Sequence, residues 1–215
     1  MKKTIPLIPA IIVCVIIGFL ISSALYTITG LSLFGEFHEN PMTTGEINNE
    51  ELCALAYSVL KDINDGDYAA LSRIAHPISG VLFSPQATVD KSANKQFSAA
   101  EIAAFETDTN SYVWGINCSG GEPIEMTPAE FIARFIDSKN YSAAPLIGVN
   151  RIVRSGNALE NITEVFPDVQ FVEFHIPGSE QDPSGDFDWY TLRLGFEEYN
   201  GNLWLTMIIH SEWSE

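Results

Sequence analysis

Basic residues are scarce in this chain, and several sequence signatures of enzymes are absent from it. Among its 215 residues are 11 lysines and arginines against 28 aspartates and glutamates, which gives a formal net charge of −17. Such an acidic surface repels phosphate backbones, so nucleic acid is not expected as a partner. The sequence contains no GxSxG elbow, no phosphate-binding glycine-rich loop and no CxxC pair. These absences lower the expectation of catalysis without excluding it, because one fold hosts many functions.

Charge of either sign is missing near the N-terminus, where no charged residue occurs between Lys3 and Glu36. As a helix, the apolar run 5–26 would be about 33 Å long, which is enough to cross a hydrocarbon core. Lys2 and Lys3 precede this run, so the positive-inside rule predicts a cytoplasmic N-terminus and an external remainder. A signal peptide cleaved near Ala24 is the alternative, and it would release the same domain by secretion.

The chain divides by composition into three regions. We predict a cytoplasmic stub and transmembrane anchor over residues 1–34, a polar linker over 35–48 and an extracytoplasmic domain over 49–215. The last region is long enough to bury its own hydrophobic core. The membrane is therefore one expected partner, contacted through residues 5–26.

Cysteine is also rare, with three residues in the chain. Cys14 falls within the predicted span, which leaves Cys53 and Cys118 in the external domain. An oxidising compartment permits a disulfide between these two residues. Two small buried thiols are an equally open alternative.

The first part of the external domain has the periodicity of helices. Six apolar residues recur at helical spacing and predict a first helix. They are Leu52, Leu55, Ala56, Val59, Leu60 and Ile63. Gly66 can end this helix in the left-handed conformation, and Asp67 can cap a second, shorter one. Segments 98–101 and 127–130 read Ser-x-x-Glu and Thr-x-x-Glu, capping boxes that predict two more helices. The later helix carries Phe131, Ile132, Phe135 and Ile136 on one side.

The last third of the chain has the alternating pattern of strands. Strands are predicted over 169–176, 189–199 and 202–213, with Asn200-Gly201 as the turn between the last two. This turn sets the register. The predicted apolar pairs are Phe196 with Leu205, Leu194 with Met207, and Leu192 with Ile209. The same register places Thr191, Arg193, Gly195 and Glu197 on the other face, against His210, Ile208, Thr206 and Trp204.

Helices followed by a run of strands predict an α+β fold, with an antiparallel sheet packed against helices. The opening amphipathic helix, the turn Asp65-Gly66-Asp67-Tyr68 and the second short helix resemble the nuclear transport factor 2-like (cystatin-like) fold, as does the closing hairpin. The resemblance covers roughly residues 46–85 and 168–213. It implies a curved sheet that encloses a pocket with its helices, an active site in some members and a ligand site in others.

A second resemblance rests on short local motifs. They are His76-Pro77, residues 80–85, Trp114-Gly115, residues 121–124, Asp188-Trp189, residues 192–194 and Ile209-His210 with Trp213. Together they resemble an uncharacterised family of exported or lipid-anchored microbial proteins. That resemblance implies an external location and brings no established activity.

The candidate site is the polar face of the C-terminal sheet. An arginine and a histidine beside a tryptophan can hold a carboxylate or another polar ligand. The candidate ligand-pocket residues are Arg193, Trp204, Thr206, His210, Glu173 and His175. An ordinary half-covered sheet face is the alternative. A metal site made by Glu173, His175 and His210 is not favoured because their spacing matches no ligand motif, and no cofactor is predicted.

Two functions remain open on this sequence, because a third, an accessory subunit of an envelope complex, has no supporting GxxxG pattern or ionisable residue in the run 5–26. The first is a non-catalytic, membrane-tethered domain that binds an unknown protein or small molecule outside the cytoplasm. The alternative is a hydrolase- or isomerase-type enzyme that uses His210 with Glu173 or Arg193. The enzyme requires these side chains to lie within hydrogen-bond reach of each other in one cleft.

Overall fold

The computed structural model describes residues 49–117, 120–178 and 187–213, which form an α+β domain. Within these ranges no helix is both long and apolar enough to cross a membrane. The predicted stub, span and linker, and the cleavage site near Ala24, lie outside the described residues. Anchor, orientation and domain boundaries therefore stay predictions.

The described residues include five α-helices. They are α1 (Asn49–Asn64), α2 (Tyr68–Ile74), α3 (Ala99–Ala103), α4 (Pro128–Phe131) and α5 (Ile162–Val165). The apolar stripe of α1 is confirmed, because its buried residues are all members of that stripe. Gly66 has a φ of 67°, and the Asp67 side chain accepts a hydrogen bond from the Ala70 N–H. Both predicted capping boxes are formed, at the starts of α3 and α4.

Helix α4 continues into a π-helical turn, Ile132–Ile136, and a 3-10 turn follows at Tyr141–Ala143. The Asp137 N–H donates to the Ile132 carbonyl at 2.7 Å, five residues earlier. Phe131, Ile132, Phe135 and Ile136 are buried, as the predicted helix requires. Wide turns of this kind occur often at functional sites, because they rotate the residues that follow them.

The strands build one large sheet and one small one. They are β1 (Val81–Ser84), β2 (Lys95–Phe97), β3 (Tyr112–Ile116), β4 (Pro123–Met126), β5 (Leu146–Val149), β6 (Gln170–Ile176), β7 (Tyr190–Tyr199) and β8 (Asn202–Glu212). The large sheet has the order β2-β1-β8-β7-β6-β5, and β3 pairs with β4 separately. The C-terminal hairpin thus lies at the centre of the large sheet.

The large sheet is mixed. Strand β1 runs parallel to β8, while the other pairings between described strands are antiparallel. The prediction of an antiparallel sheet is therefore wrong at this pair. The prediction fails here because β1 pairs with a strand from the far end of the chain. A local apolar pattern carries no information about the direction of such a distant partner.

The predicted hairpin turn is confirmed. Asn200 and Gly201 have φ angles of 54° and 77°, and Tyr199 pairs with Asn202. Two adjacent residues with positive φ are typical of the two-residue turns that match the twist of a hairpin. The next predicted apolar pair, Phe196 with Leu205, is also present.

A β-bulge then changes the register of the hairpin. Gly195 pairs with Met207, so Thr206 is the extra residue of the bulge, and its hydroxyl donates to the Gly195 carbonyl at 3.2 Å. A Cβ on Gly195 would lie 2.4 Å from Met207 Cγ, so this close approach needs a glycine.

The bulge makes two predicted pairs wrong. Leu194 pairs with Ile208 rather than Met207, and Leu192 pairs with His210 rather than Ile209. A shift of one residue moves every following side chain to the opposite face. His210 consequently lies on the face that the N-terminal helices cover, and Met207 and Ile209 lie on the other.

Each face of the large sheet has its own hydrophobic cluster. On one face, Leu192, Leu194 and Ile208 pack in a cluster with the stripe of α1 and the aromatic residues Phe83 and Trp114. The opposite face carries a smaller cluster, which includes Ile162 of α5 and Phe166 directly after that helix. Its members are Leu82, Val89, Ile162, Phe166, Phe171, Met207 and Ile209.

Candidate ligand cleft

The sheet separates the six predicted site residues instead of gathering them. Glu173, His175 and Arg193 lie on the face of the smaller cluster, and His210 lies on the helix-covered face. The predicted single site made of His210 and Arg193 is therefore wrong, and the bulge at Gly195 is the reason.

Two of the six predicted residues, Trp204 and Thr206, make hydrogen bonds within the hairpin β7–β8. The Trp204 indole N–H donates to the Tyr199 carbonyl at 3.0 Å, close to the turn. Thr206 is the bulge residue, and its hydroxyl is bonded to the opposite strand. Both side chains thus help to hold the end of the hairpin, away from the other four.

Arg193 is the centre of a buried ion-pair network. Its Nε and Nη2 donate to Glu173 Oε2 at 2.9 and 2.5 Å, and its Nη1 donates to Glu160 Oε2 at 2.9 Å. The second oxygen of Glu173 accepts from the backbone N–H groups of Val153 and Arg154 at 2.9 and 3.2 Å. The network therefore ties the segment that contains residues 153–160 to the sheet.

This network is closed to ligands. Side-chain exposure is 1% for Arg193, 0% for Glu173 and 13% for Glu160. A ligand would have to displace two carboxylates from the guanidinium in the protein interior. His175 is buried beside the Trp189 ring at 6.1 Å, and its burial lowers its pKa, so it is held neutral. We interpret all four side chains on this face as structural, namely Arg193, Glu173, Glu160 and His175.

An open cleft of about 190 Å³ lies instead at the C-terminal end of β8. Its apolar lining comes from Pro85, Ala87, Ile124, Phe135 and Ala158. Its polar lining comes from Gln86, Asn117, Arg134, Ser211 and Glu212. Apolar walls with a few polar groups are typical of small-molecule sites.

Arg134 and Glu212 form the charged pair of the cleft. Arg134 Nη2 lies 2.6 Å from Glu212 Oε1, and Arg134 Nη1 lies 3.4 Å from Glu212 Oε2. The guanidinium also lies over the Phe135 ring at 4.7 Å. Arg134 comes from the π-helical turn and Glu212 from the last residue of β8, so two separate elements position them. The side chains are 51% and 24% exposed, which leaves both open to a ligand.

Two buried side chains, His210 and Tyr141, lie on the inner side of Glu212. His210 is 0% exposed, with Nε2 3.5 Å from Glu212 Oε2 and Nδ1 3.5 Å from the Tyr141 hydroxyl oxygen. Burial raises the pKa of Tyr141, so its hydroxyl keeps its proton. The Phe135 ring contacts the imidazole at a centroid distance of 5.4 Å. The imidazole is thus packed behind the carboxylate, and its Nε2 has no hydrogen-bond partner among the described residues.

Glu212 stays ionised in this environment. Burial alone would raise its pKa, but the His210 imidazole and the Arg134 guanidinium outweigh that effect and lower the pKa to about 2. A carboxylate with so low a pKa accepts hydrogen bonds and is a poor proton donor or base near neutral pH. Glu212 is therefore poorly suited to proton transfer near neutral pH.

Two other predictions concern cysteine and metal. Cys53 is half-buried on α1, and Cys118 lies outside the described residues, so their pairing stays a prediction. In the described parts of the chain, no three histidine, cysteine, aspartate or glutamate side chains are grouped closely enough to hold a metal ion.

The sequence prediction missed both charged residues of the cleft. Arg134 lies in a segment whose apolar pattern is that of an ordinary helix, and nothing in that pattern indicates a π-helical turn. Glu212 follows the bulge, so its face could be assigned only from the correct register. Gly195, a lone glycine inside a strand, was the available signal for that register.

No protein-family model matches this chain, and no curated protein matches it. The geometry of the cleft must therefore carry the functional argument.

Proposed function

We propose that this protein is a membrane-anchored, extracytoplasmic domain that binds a small ligand in the cleft beside Arg134 and Glu212, without catalysis. One observation carries the proposal. A half-exposed arginine is held in a cleft by an ionised glutamate, with buried His210 packed behind the glutamate and Tyr141 in contact with His210. Such support keeps the polar groups of a binding site in a fixed orientation before the ligand arrives.

The dimensions of the cleft indicate a ligand of few atoms. Its volume of about 190 Å³ is below the ~300–1,000 Å³ of sites for drug-sized molecules. Ile124, Phe135 and Ala158 provide apolar contact, and the charged pair provides hydrogen bonds. A compact molecule with one polar group suits these walls better than a protein surface does.

The arrangement favours binding over the enzyme alternative. His210 is fully buried, and Glu173 and Arg193 lie on the opposite face of the sheet. The hydrolase or isomerase would need these groups together in one cleft. Glu212, which does line the cleft, is held in its ionised form.

We also propose that the domain has the nuclear transport factor 2-like (cystatin-like) fold and lies outside the cytoplasm. The fold is supported by α1, the Gly66 turn and α2 packed with a long C-terminal hairpin. The location is supported by the uncharged run 5–26 after two lysines. Protease added to intact cells should digest residues 49–215 of the full-length chain, and protection of that domain would contradict the orientation.

A fragment screen with a filled-cleft variant tests the binding proposal. Full-length protein in detergent micelles is screened by ligand-observed NMR against small neutral and charged fragments. Ala158→Phe places a ring in the cleft, whereas Leu159→Phe adds the same ring at a neighbouring side chain that is 65% exposed and outside the cleft. We expect hits that Ala158→Phe abolishes and Leu159→Phe retains. Hits that survive both substitutions equally, or no hits at all, would contradict the proposal.

A further inference from the structure

We propose that the cleft selects a neutral amide, carried on a small apolar or aromatic group, over a carboxylate or an amine. This inference rests on the proposed ligand-binding function. It follows from the hydrogen-bonding capacity of the Arg134–Glu212 pair, from the charge of that pair and from the apolar wall beside it.

The pair has hydrogen-bonding capacity left over. A guanidinium has five N–H donors, and two of its nitrogens contact Glu212, so donors remain for a ligand. An ionised carboxylate has about four lone-pair positions, and the contacts of Glu212 with Arg134 and with His210 Nε2 leave acceptor capacity unused. Both side chains are partly exposed. A donor and an acceptor are therefore available side by side, which matches the C=O and N–H of one amide.

The charge of the pair disfavours ions of either sign. Arg134 is the one cation among the described residues that line the cleft, and Glu212 neutralises it at 2.6 Å. A carboxylate ligand attracted to Arg134 would also be repelled by Glu212, and an ammonium would meet the reverse combination. Either ion would lose hydration without a net electrostatic gain. A neutral amide makes both hydrogen bonds without that loss.

The surroundings hold the pair in place for this recognition. His210 packs behind the carboxylate, Tyr141 contacts His210, and the Phe135 ring lies against the guanidinium. Since little side-chain freedom is lost on binding, the two hydrogen bonds are made at low entropic cost. Ile124 and Ala158 line the same cleft and suit the apolar part of the ligand.

Three matched probes test this selectivity: benzamide, benzoate and benzylamine share one ring and differ in the polar group. Their dissociation constants are measured on the full-length protein in detergent by ligand-observed NMR titration. Hydrogen bonds to charged groups lead us to expect benzamide to bind about tenfold more tightly than either ion. Tighter binding of benzoate or benzylamine to the wild-type protein would overturn the amide inference and leave the binding proposal standing.

Substitution of Arg134 or Glu212 should change which of the three probes the cleft prefers. Glu212→Gln leaves Arg134 as an unneutralised cation, so benzoate should gain affinity relative to benzamide. Arg134→Gln leaves Glu212 unneutralised, so benzylamine should gain instead. Glu198→Gln, at an exposed position on β7 outside the cleft, should change neither ratio. Arg134 is half-exposed, so its variant is a second test that does not depend on how Glu212→Gln folds.

The possible failures are distinguishable. If other fragments bind in an Ala158→Phe-sensitive manner while none of the three probes binds, the amide inference is overturned and ligand binding is kept. If no compound of either set binds, both are overturned. Ratios that stay unchanged in Glu212→Gln and Arg134→Gln would show that the pair does not contact the ligand, and would overturn the inference.

Discussion

Replacing Arg193 with methionine should destabilise the domain far more than the same change at Arg134. Arg193 is 1% exposed and donates three hydrogen bonds to two carboxylates, Glu173 and Glu160. Its loss leaves both carboxylates without their cation in a buried site. Breaking a buried ion pair in this way typically costs about 3–5 kcal/mol.

The structure narrows this value. Glu173 keeps two backbone N–H donors from residues 153 and 154 after Arg193 is removed, so we expect the lower part of the range, about 3 kcal/mol. For a domain of this size, a loss of about 3 kcal/mol lowers the melting temperature by about 6–12 °C. Arg134 is 51% exposed, and an exposed pair contributes about 0–1 kcal/mol. Arg134→Met should therefore lower the melting temperature by less than about 4 °C.

The assay is thermal unfolding of the full-length protein in detergent, followed by intrinsic tryptophan fluorescence. The double substitution Arg193→Met with Glu173→Gln should recover part of the loss, because it removes the unpaired buried charge and keeps an acceptor for the two N–H groups. A shift for Arg193→Met no larger than that for Arg134→Met would refute the argument. So would a loss of cleft binding in a folded Arg193→Met protein, because the network would then belong to the site.

Two further predictions concern pH and backbone conformation. The pKa of Glu212 is lowered to about 2 from 4.5, so its stabilisation should be complete above about pH 4.5 and lost as the pH falls toward 2. Urea denaturation measures the unfolding free energy of the wild-type protein and of Glu212→Gln. We expect the wild-type value to be higher by at most about 3 kcal/mol at pH 6 and by less at pH 3. An equal difference at the two pH values would contradict this prediction. Gly80→Ala should cost about 2–5 kcal/mol, because φ is 69° and a Cβ would lie 2.1 Å from the Phe97 carbonyl oxygen. Gly66→Ala, with φ of 67° and open space, should cost only about 1–2 kcal/mol in the same assay, and equal costs would contradict the steric argument.

Local elements of the fold were predictable because their signals are short-range. The stripe of α1, the capping of α2 by Asp67 and the Asn200-Gly201 turn each depend on a few neighbouring residues, and each is present. The two capping boxes likewise place the starts of α3 and α4 correctly.

The candidate site was not predictable because it depends on the register of distant strands. A single extra residue, Thr206, exchanges the faces of His210 and Ile209. When apolar and polar residues alternate both before and after a bulge, the sequence pattern alone does not show where the bulge lies. The pairing of β1 with β8 and the π-helical turn that carries Arg134 are likewise set by packing between remote segments.

The central position of the C-terminal hairpin has a consequence for how the chain folds. Leu82 of β1 pairs with Met207 of β8, so the first strand waits for nearly the whole domain before it gains its inner neighbour. Ribosomes extend the chain at about 5–20 residues per second, so this wait lasts seconds or longer. During it, β1 and β2 have only each other as described partners, and a two-stranded hairpin is marginal in water. The large sheet can thus be completed only after residues 202–212 have been synthesised.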